Sequence, residues 1–239
     1  MTTIGNRLQD ILARIHAIQS TSDCKQLVSL LAVSKAQSPQ AVREAYASGQ
    51  TLFGENYLQE ALEKQEQLKD LNIEWHFIGP IQSNKTQLIA QNFAWVHSVD
   101  RLKIAQRLNE ARSNQASPLQ ICIQVNTSNE ASKSGVSPLE LESLAKAILK
   151  MPNLKLRGVM SIPEPSKDYN QQRAQFKQVR ECYDVLIAKG FTLDTLSIGM
   201  SDDYQAAIEE GSTVVRIGSA LFGARVYEPK ATDAVVDTI

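Results

Sequence analysis

The sequence predicts an α/β fold, and more specifically a closed parallel TIM (β/α)8 barrel, from three observations. The chain has 239 residues, a length that such barrels commonly occupy as a single domain. Short apolar runs alternate with amphipathic stretches, which is the order of elements in a parallel α/β fold. Eight strand-like runs occur, and a helical run follows each of them. A doubly wound open sheet shows the same alternation, but the count of eight favours the barrel.

An extra helix is predicted before the barrel, at residues 2–19. Apolar residues recur there at helical spacing and form one stripe, made of Ile4, Leu8, Ile11, Leu12, Ile15 and Ile18. The stretch lacks the continuous apolar run of a signal peptide, and nothing in the chain approaches the roughly 20 apolar residues of a membrane span. We therefore expect a cytoplasmic protein with no membrane partner.

The elements of the barrel follow this helix in alternation. Strand-like runs lie at 27–35, 51–56, 73–79, 94–99, 119–127, 154–162, 195–200 and 213–217. Helical runs lie at 39–48, 57–70, 84–92, 101–114, 138–150, 169–189 and 203–210, and a short one, Ser219–Phe222, follows the last strand. Polar loops are expected at 128–137 and 163–166, and a loosely held tail at 227–239. No linker or repeat divides the chain, so we expect one domain over residues 1–239.

Composition argues against several classes of function. The hydrophobic fraction of 43% and charged fraction of 21% are ordinary for a globular protein, and the net charge of −1 gives no reason to expect a nucleic-acid partner. The three cysteines, Cys24, Cys122 and Cys182, form no C-x-x-C pair, which fits a reducing compartment. Histidines and cysteines lack metal-ligand spacing, so no metal site is predicted. Dinucleotide-binding and P-loop glycine motifs are also missing.

Polar residues stand at the C-terminal ends of several predicted strands, and barrel closure would bring those ends together on one rim. Lys35 is the most informative, because it ends an apolar run. Burial lowers the pKa of a lysine, and its neutral amine is a nucleophile toward aldehydes. The alternative is a rim lysine with a buried stem and a solvated ammonium group. The other residues expected on the rim are Asn56, His76, Gly79, Ser161, Ser201, Arg216, Gly218 and Ser219.

The end of the eighth predicted strand resembles a phosphate site. Gly218 would let the backbone approach an anion, and Ser219 opens a short helix whose N–H groups attract one. Ser201 adds a hydroxyl group from the neighbouring strand end. The alternative is that Gly218 is only a turn residue and Ser219 only a helix cap. A phosphate site opposite an imine-forming lysine indicates a phosphorylated aldehyde, for which pyridoxal phosphate is the obvious candidate.

Arg216 bears on the electronic properties of such a cofactor. If it points inward it can face the ring nitrogen, where a guanidinium can only donate hydrogen bonds. The nitrogen would then stay unprotonated, and the ring would be a poorer electron sink. A salt bridge or a direct phosphate contact is the alternative role. His76 and His97 are interpreted as hydrogen-bonded barrel residues, and Asp202-Asp203 as the acidic start of a helix.

Several segments together resemble the pyridoxal-phosphate homeostasis protein family. They are Ala32–Lys35, Phe53–Tyr57, Trp75–Lys85, Gln124–Asn126, Gly158–Met160, Ser197–Asp203 and Val215–Gly218. The resemblance implies a fold-type III barrel, like the N-terminal domain of alanine racemase. It also implies that Lys35 forms the Schiff base, that Arg216 faces the pyridine nitrogen and that Asn56 lies near the phenolic oxygen. Ser201, Gly218 and Ser219 would hold the phosphate.

The same resemblance implies a monomeric, non-catalytic protein that buffers pyridoxal phosphate or delivers it to apoenzymes. One alternative is an amino-acid racemase or decarboxylase. Racemisation would need a second acid/base on the opposite cofactor face, where Tyr57 or Tyr204 would have to act, and the chain has no room for the C-terminal domain that supplies a tyrosine in alanine racemase. A Schiff-base aldolase acting on a phosphosugar is a further alternative, but it explains Arg216 and Asn56 less well.

Overall fold

The computed structural model describes residues 3–22, 26–128 and 134–223. Strands β1 to β8 are Ser29–Val33, Leu52–Glu55, Glu74–Phe77, Trp95–Val99, Leu119–Gln124, Leu154–Met160, Thr195–Met200 and Val214–Ile217. Helices α1 to α9 are Ile4–Thr21, Pro39–Ala47, Leu58–Gln67, Thr86–Asn92, Leu102–Ala111, Pro138–Ile148, Tyr169–Ala188, Tyr204–Glu209 and Ser219–Phe222. Helix α1 is the extra helix, and the remaining elements alternate as predicted.

The strands form one closed parallel barrel. Each strand pairs with the next along the chain, and β8 pairs with β1 to close the sheet. The predicted (β/α)8 barrel is therefore confirmed, and the open-sheet alternative is wrong. Register shifts occur in the β4–β5, β5–β6 and β7–β8 pairs. Because all the strands are parallel, their C-terminal ends share one face of the barrel and their N-terminal ends share the other.

Helix α1 packs on the outside of the barrel through one face. Its buried residues are Ile4, Leu8, Ile11 and Ile15. They belong to an apolar cluster that includes Leu30 and Ala32 of β1 and Val215 and Ile217 of β8. Leu12 was predicted to join this face, but it is 39% exposed. It follows Ile11 by about 100° around the helix, which turns it away from the barrel.

The interior of the barrel combines apolar and polar side chains. Leu31, Val33 and Ile78 form a small cluster separate from the two clusters that lie between the barrel and its helices. The alternation of β1, with Leu30 and Ala32 facing the helices, places Leu31 and Val33 inside. Polar side chains are also buried in strands β3, β4, β7 and β8, namely His76, His97, Ser197 and Arg216.

Some predictions concern residues outside the described ranges. These are the tail at 227–239, Cys24 and residues 129–133 of the loop after β5. None of the helices in the described ranges combines the length and apolar character of a membrane span. Within the same ranges, histidine, cysteine and carboxylate side chains form no group of three or more suited to a metal ion. Burial raises the pKa of the free Cys122 thiol to about 12, which disfavours its reactive thiolate form.

Candidate functional site

A cavity of about 500 Å³ opens at the face formed by the C-terminal ends of the strands. The six residues predicted to bind a cofactor all line it, namely Lys35, Asn56, Ser201, Arg216, Gly218 and Ser219. What each of them binds stays a prediction. Sequence reasoning missed the other described residues that line it, which are Val33, Gln37, Ile78, Ile162, Met200, Asp202 and Gly223. His76, Gly79 and Ser161, expected on the same rim, do not line this cavity.

Lys35 lies in a turn beyond the end of β1 and not on the strand itself, which ends at Val33. The extended backbone stops because Ala36 adopts a left-handed conformation with a φ of 57°. Such a conformation costs a non-glycine residue about 1–3 kcal/mol. The Ala36 N–H donates to Glu60 Oε1 at 2.6 Å, which helps to hold the turn. The half-buried Lys35 is therefore presented to the cavity by a specific and strained turn.

A buried ionic network contacts the residue that precedes this turn. Lys64 of α3 is 3% exposed and donates to Glu55 Oε1 at 2.6 Å and to the Ser34 carbonyl at 2.7 Å. The Ser34 hydroxyl donates to the same Glu55 oxygen at 2.6 Å. Burial raises the pKa of Glu55, and the charge of Lys64 opposes that rise. The network thereby ties β2 and α3 to the residue that precedes Lys35.

Sequence reasoning missed this network, although one signal was available. Lys64 falls three residues after Ala61 and four before Leu68, and both of these are buried. A lysine in the apolar stripe of a helix is rarely buried without a partner. That position indicated a buried ion pair, but nothing in the sequence indicated that its partner would be Glu55 on the neighbouring strand.

Arg216 is a buried cation at the floor of the cavity. Its Nη1 donates to the carbonyl and hydroxyl oxygens of Ser197 at 2.5 and 2.9 Å, and its Nη2 donates to the Ser161 carbonyl at 2.9 Å. Burial lowers its pKa to about 10, so it remains protonated at neutral pH. The salt bridges formed by described residues do not include Arg216, so the salt-bridge role considered from the sequence is not observed there.

The cavity also carries hydroxyl and backbone N–H groups, where the loop after β7 meets the start of α9. Helix α9 begins at Ser219, and the Ala220 N–H points to Ser201 Oγ at 3.4 Å. Arg7 of α1 supports the far end of α9, because its Nε donates to the Leu221 carbonyl at 2.5 Å. This contact places a cation at the C-terminal end of α9, and it gives the extra helix α1 a role beside the cavity.

The loop that carries Ser201 is held by Asp203. The Met200 N–H donates to Asp203 Oδ1 at 2.6 Å, and the carboxylate makes no capping hydrogen bond to α8. Asp203 lies directly before α8, as predicted for the acidic start of a helix, and its carboxylate also holds the preceding loop. Burial raises the pKa of Asp203, while the Met200 N–H and the charge of Arg216 oppose the rise.

Asn56 has spare hydrogen-bonding capacity. Its Oδ1 atom is buried and has no hydrogen-bond partner among the described residues. A buried polar atom of this kind is uncommon and indicates a site that a ligand can complete. Asn56 follows β2 directly and reaches the cavity beside Ile78.

Gly79→Ala is expected to destabilise the protein and displace Asn56. An added Cβ would lie 2.1 Å from the Asn56 backbone oxygen, a contact that only backbone movement can relieve. Overpacking of this kind costs about 1–3 kcal/mol, and denaturant unfolding should report a loss of that size. Gly54→Ala is the matched control, because its Cβ would meet only side-chain atoms of Ile78 and Leu31, at 3.2 Å. Equal losses in the two variants would contradict the prediction.

Comparisons with known proteins agree with this fold and cavity. The family model of the alanine racemase N-terminal domain matches residues 7–226, so the chain belongs to the class of barrels that this domain defines. Within that class, the chain belongs to the family of pyridoxal phosphate homeostasis proteins. The protein of that name from Pseudomonas aeruginosa is 56% identical, and the alignment covers 97% of this chain and 100% of the relative. The family resemblance noted in the sequence is confirmed.

Two further relatives extend the comparison. The pyridoxal phosphate homeostasis protein of Vibrio cholerae is 52% identical, over 97% of this chain and 100% of the relative. Among solved structures, PipY of Synechococcus elongatus with pyridoxal phosphate (PLP) bound is similar, with a TM-score of 0.81 and 34% identity. That similarity covers 92% of this chain and 100% of PipY.

Proposed function

We propose that this chain binds pyridoxal 5′-phosphate in the cavity at the C-terminal ends of the strands and serves in the homeostasis of that cofactor. The observation that carries the proposal is that one cavity presents three complementary groups. These are the Lys35 amine, the buried Arg216 guanidinium, and the hydroxyl and N–H groups around Ser201 and Ser219. Membership of the family, and the PLP-bound structure of PipY, support it.

The residues present fit this cofactor. When bound, it supplies an aldehyde carbon and an electron-withdrawing pyridine ring. Lys35 would hold it through Nζ, and Arg216 would donate a hydrogen bond to its ring nitrogen. Asn56 would lie beside the phenolic oxygen, to which its Nδ2 group can donate, since the amide can turn to exchange Oδ1 and Nδ2. Ser201, Gly218 and Ser219 would hold its phosphate.

The groups around the cavity favour holding a cofactor over turning over a substrate. Arg216 can only donate hydrogen bonds, so it supplies no proton to the ring nitrogen and leaves the ring a weak electron sink. Among the described residues, the titratable side chains that line the cavity are Lys35, Asp202 and Arg216. Tyr57 and Tyr204, which a racemase mechanism would have to recruit, do not line it. We therefore propose that the protein is not an enzyme.

The cellular role that follows is storage and delivery. We propose that the protein is a cytoplasmic monomer that forms one domain over residues 1–239. It would pass the cofactor to PLP-dependent apoenzymes. A covalent link to a half-buried lysine is reversible and can be exchanged for another amine, which suits such a role. By controlling the supply of this cofactor, the protein would affect the balance of amino acids and keto acids.

Addition of PLP to the purified protein should produce a new absorbance band. Borohydride reduction should then increase the mass of the protein by one reduced cofactor, on a peptide that contains Lys35. Free PLP mixed with a heat-unfolded sample of the same protein is the control. A protein that stays colourless and gains no mass would contradict the proposed function.

The racemase-like alternative requires a separate measurement. The PLP-loaded protein is incubated in deuterated water with a panel of amino acids, and exchange at the Cα position is followed by NMR. We expect no more exchange than free PLP gives at the same concentration. Exchange that is proportional to protein concentration, at rates typical of enzymes, would make the protein a catalyst.

A further inference from the structure

A line of hydrogen-bonded side chains crosses the interior of the barrel. Glu74 Oε1 lies 3.0 Å from His76 Nε2, and His76 Nδ1 lies 2.9 Å from His97 Nε2. His97 Nδ1 lies 2.9 Å from Ser197 Oγ, which in turn accepts from Arg216 Nη1 at 2.9 Å. The line therefore joins the first residue of β3 to the arginine at the floor of the cavity.

The two ends of this line lie on opposite faces of the barrel. Glu74 begins β3 and its side chain is 45% exposed, so it stands on the face formed by the N-terminal ends of the strands. The other four side chains are buried. The contact between His97 and Ser197 spans the barrel from β4 to β7, two strands that are not neighbours in the sheet. The line thus connects an exposed carboxylate to the cavity.

The chemistry of the two ends fixes the direction of every hydrogen bond. A carboxylate can only accept, so His76 must carry its proton on Nε2. If both imidazoles are neutral, His76 Nδ1 then accepts from His97 Nε2–H, and His97 Nδ1 accepts from the Ser197 hydroxyl. The Ser197 oxygen is left to accept from Arg216, which can only donate. Every donor along the line therefore faces an acceptor, and every hydrogen bond is donated in the direction from Arg216 to Glu74.

The surroundings support neutral imidazoles. Burial lowers the pKa of His76 and lowers the pKa of His97 well below its ordinary range. The hydrogen bond from His76 lowers the pKa of Glu74, although burial opposes it, so this carboxylate is ionised at neutral pH. Trp95 stacks on His76 with a ring separation of 5.3 Å and an interplanar angle of 4°, which fixes the plane of that imidazole.

We infer that Glu74, His76, His97 and Ser197 are positioning residues that form one directed chain and hold the Arg216 guanidinium against the cofactor cavity. Arg216 uses both Nη1 protons on Ser197 and one Nη2 proton on Ser161. Of its five donors, Nε–H and one Nη2–H remain for a ligand. The positioning of Arg216 for a cofactor rests on the proposed function. The direction of the hydrogen bonds does not depend on it.

The direction can be tested on the cofactor-free protein. The protein contains three histidines, and long-range ¹H–¹⁵N NMR distinguishes their tautomers. A His16→Gln variant assigns the exposed third imidazole. We expect both His76 and His97 to be neutral with the proton on Nε2. At His76 the excess should be at least about tenfold, since a hydrogen bond to a charged acceptor carries that much preference. An Nδ1–H tautomer at either residue, or a charged imidazole at neutral pH, would overturn the inference.

Two variants test whether the chain acts on Arg216. Glu74→Leu removes the terminal acceptor, and we expect the Nε2–H excess of His76 to fall below tenfold. In the PLP-loaded protein, both Glu74→Leu and Ser197→Ala should shift the absorbance maximum of the bound cofactor. Glu66→Leu is the matched control, because Glu66 is an exposed carboxylate whose partner in the described part of the chain is the exposed Lys69. Unchanged spectra in both test variants would overturn the positioning role.

Failure of this inference can be separated from failure of the proposed function. A protein that shows both Nε2–H tautomers but binds no PLP keeps the directed chain and loses the proposed function. A protein that binds PLP but has its imidazole protons on Nδ1 keeps the proposed function and overturns the directed chain. The NMR spectrum of the wild-type protein decides the direction even if a variant fails to fold.

Discussion

Lys35→Ala is expected to abolish covalent attachment of PLP and to leave a weaker noncovalent affinity. The substitution removes the amine at the cavity, while Arg216, Asn56 and the groups around Ser201 remain. We expect the dissociation constant to rise by about 100-fold or more, which corresponds to about 3 kcal/mol. Equilibrium dialysis measures this change, and borohydride reduction followed by mass spectrometry should detect no attached cofactor.

The control for this prediction is a lysine that lies away from the cavity. Lys85→Ala removes an exposed lysine that does not line the cavity, and it should trap PLP as the wild-type protein does. The circular dichroism of Lys35→Ala should match that of the wild-type protein, because Lys35 is half-buried at a rim and not in the core. Undiminished trapping in Lys35→Ala would remove this residue from the proposed role.

The fold could be predicted because its signals are local. Apolar runs of strand length alternate with amphipathic helices, and start signals such as Ser38-Pro39 mark the helices. Ser38 does cap α2, accepting from the Ala41 N–H at 3.2 Å. Closure follows from the number of strands, so the positions at strand ends could be assigned to a common rim. For that reason Lys35 and Arg216, which lie far apart in sequence, could be placed together.

The contacts inside the barrel could not be predicted, because they depend on register and on which side chains meet across it. The bond between His97 and Ser197 joins residues 100 positions apart. Ser161 was expected to offer its side chain to the rim. Its hydroxyl instead donates to the Val125 carbonyl at 2.9 Å, and its own carbonyl accepts from Arg216. A shift of register by one residue would reverse each of these roles.

The residue at which a strand ends could also not be predicted from the sequence. The apolar run before Lys35 predicts a strand to that residue, yet β1 ends at Val33. The cause is the left-handed Ala36, held by Glu60 from α3. Alanine gives no sequence signal for this conformation, which glycine or asparagine would have given. The turn that presents Lys35 is stabilised partly by this distant carboxylate, a contact that local sequence could not reveal.

Lys64→Met is expected to cause the largest loss of stability. The substitution leaves the Glu55 carboxylate, which is fully buried, without its ion-pair partner, and it removes a donor from the Ser34 carbonyl. Breaking a buried pair from one side typically costs about 3–5 kcal/mol. Urea unfolding at neutral pH should report a loss of that size. Trapping of PLP should also weaken, because Ser34 precedes Lys35 in the turn.

The pH dependence of Lys64→Met distinguishes a stranded carboxylate from simple loss of packing. Burial already raises the pKa of Glu55, and without Lys64 nothing of comparable strength opposes that rise. Because the folded pKa lies above the unfolded value of about 4.3, Glu55 contributes stability to the fold below that value. The contribution is lost as the pH rises through the folded pKa. The free energy of unfolding should therefore fall with rising pH, by up to about 1.4 kcal/mol per pH unit.

Two comparisons make this prediction specific. In Lys64→Met with Glu55→Gln, the carboxylate is absent, so the added pH dependence should disappear and part of the stability should return. Lys69→Met removes an exposed lysine just after the same helix, whose pair with Glu66 is solvent-exposed. Surface pairs of this kind contribute about 0–1 kcal/mol. If Lys64→Met lost the same stability at every pH, its effect would come from packing alone, and Glu55 would not be the charge that Lys64 neutralises.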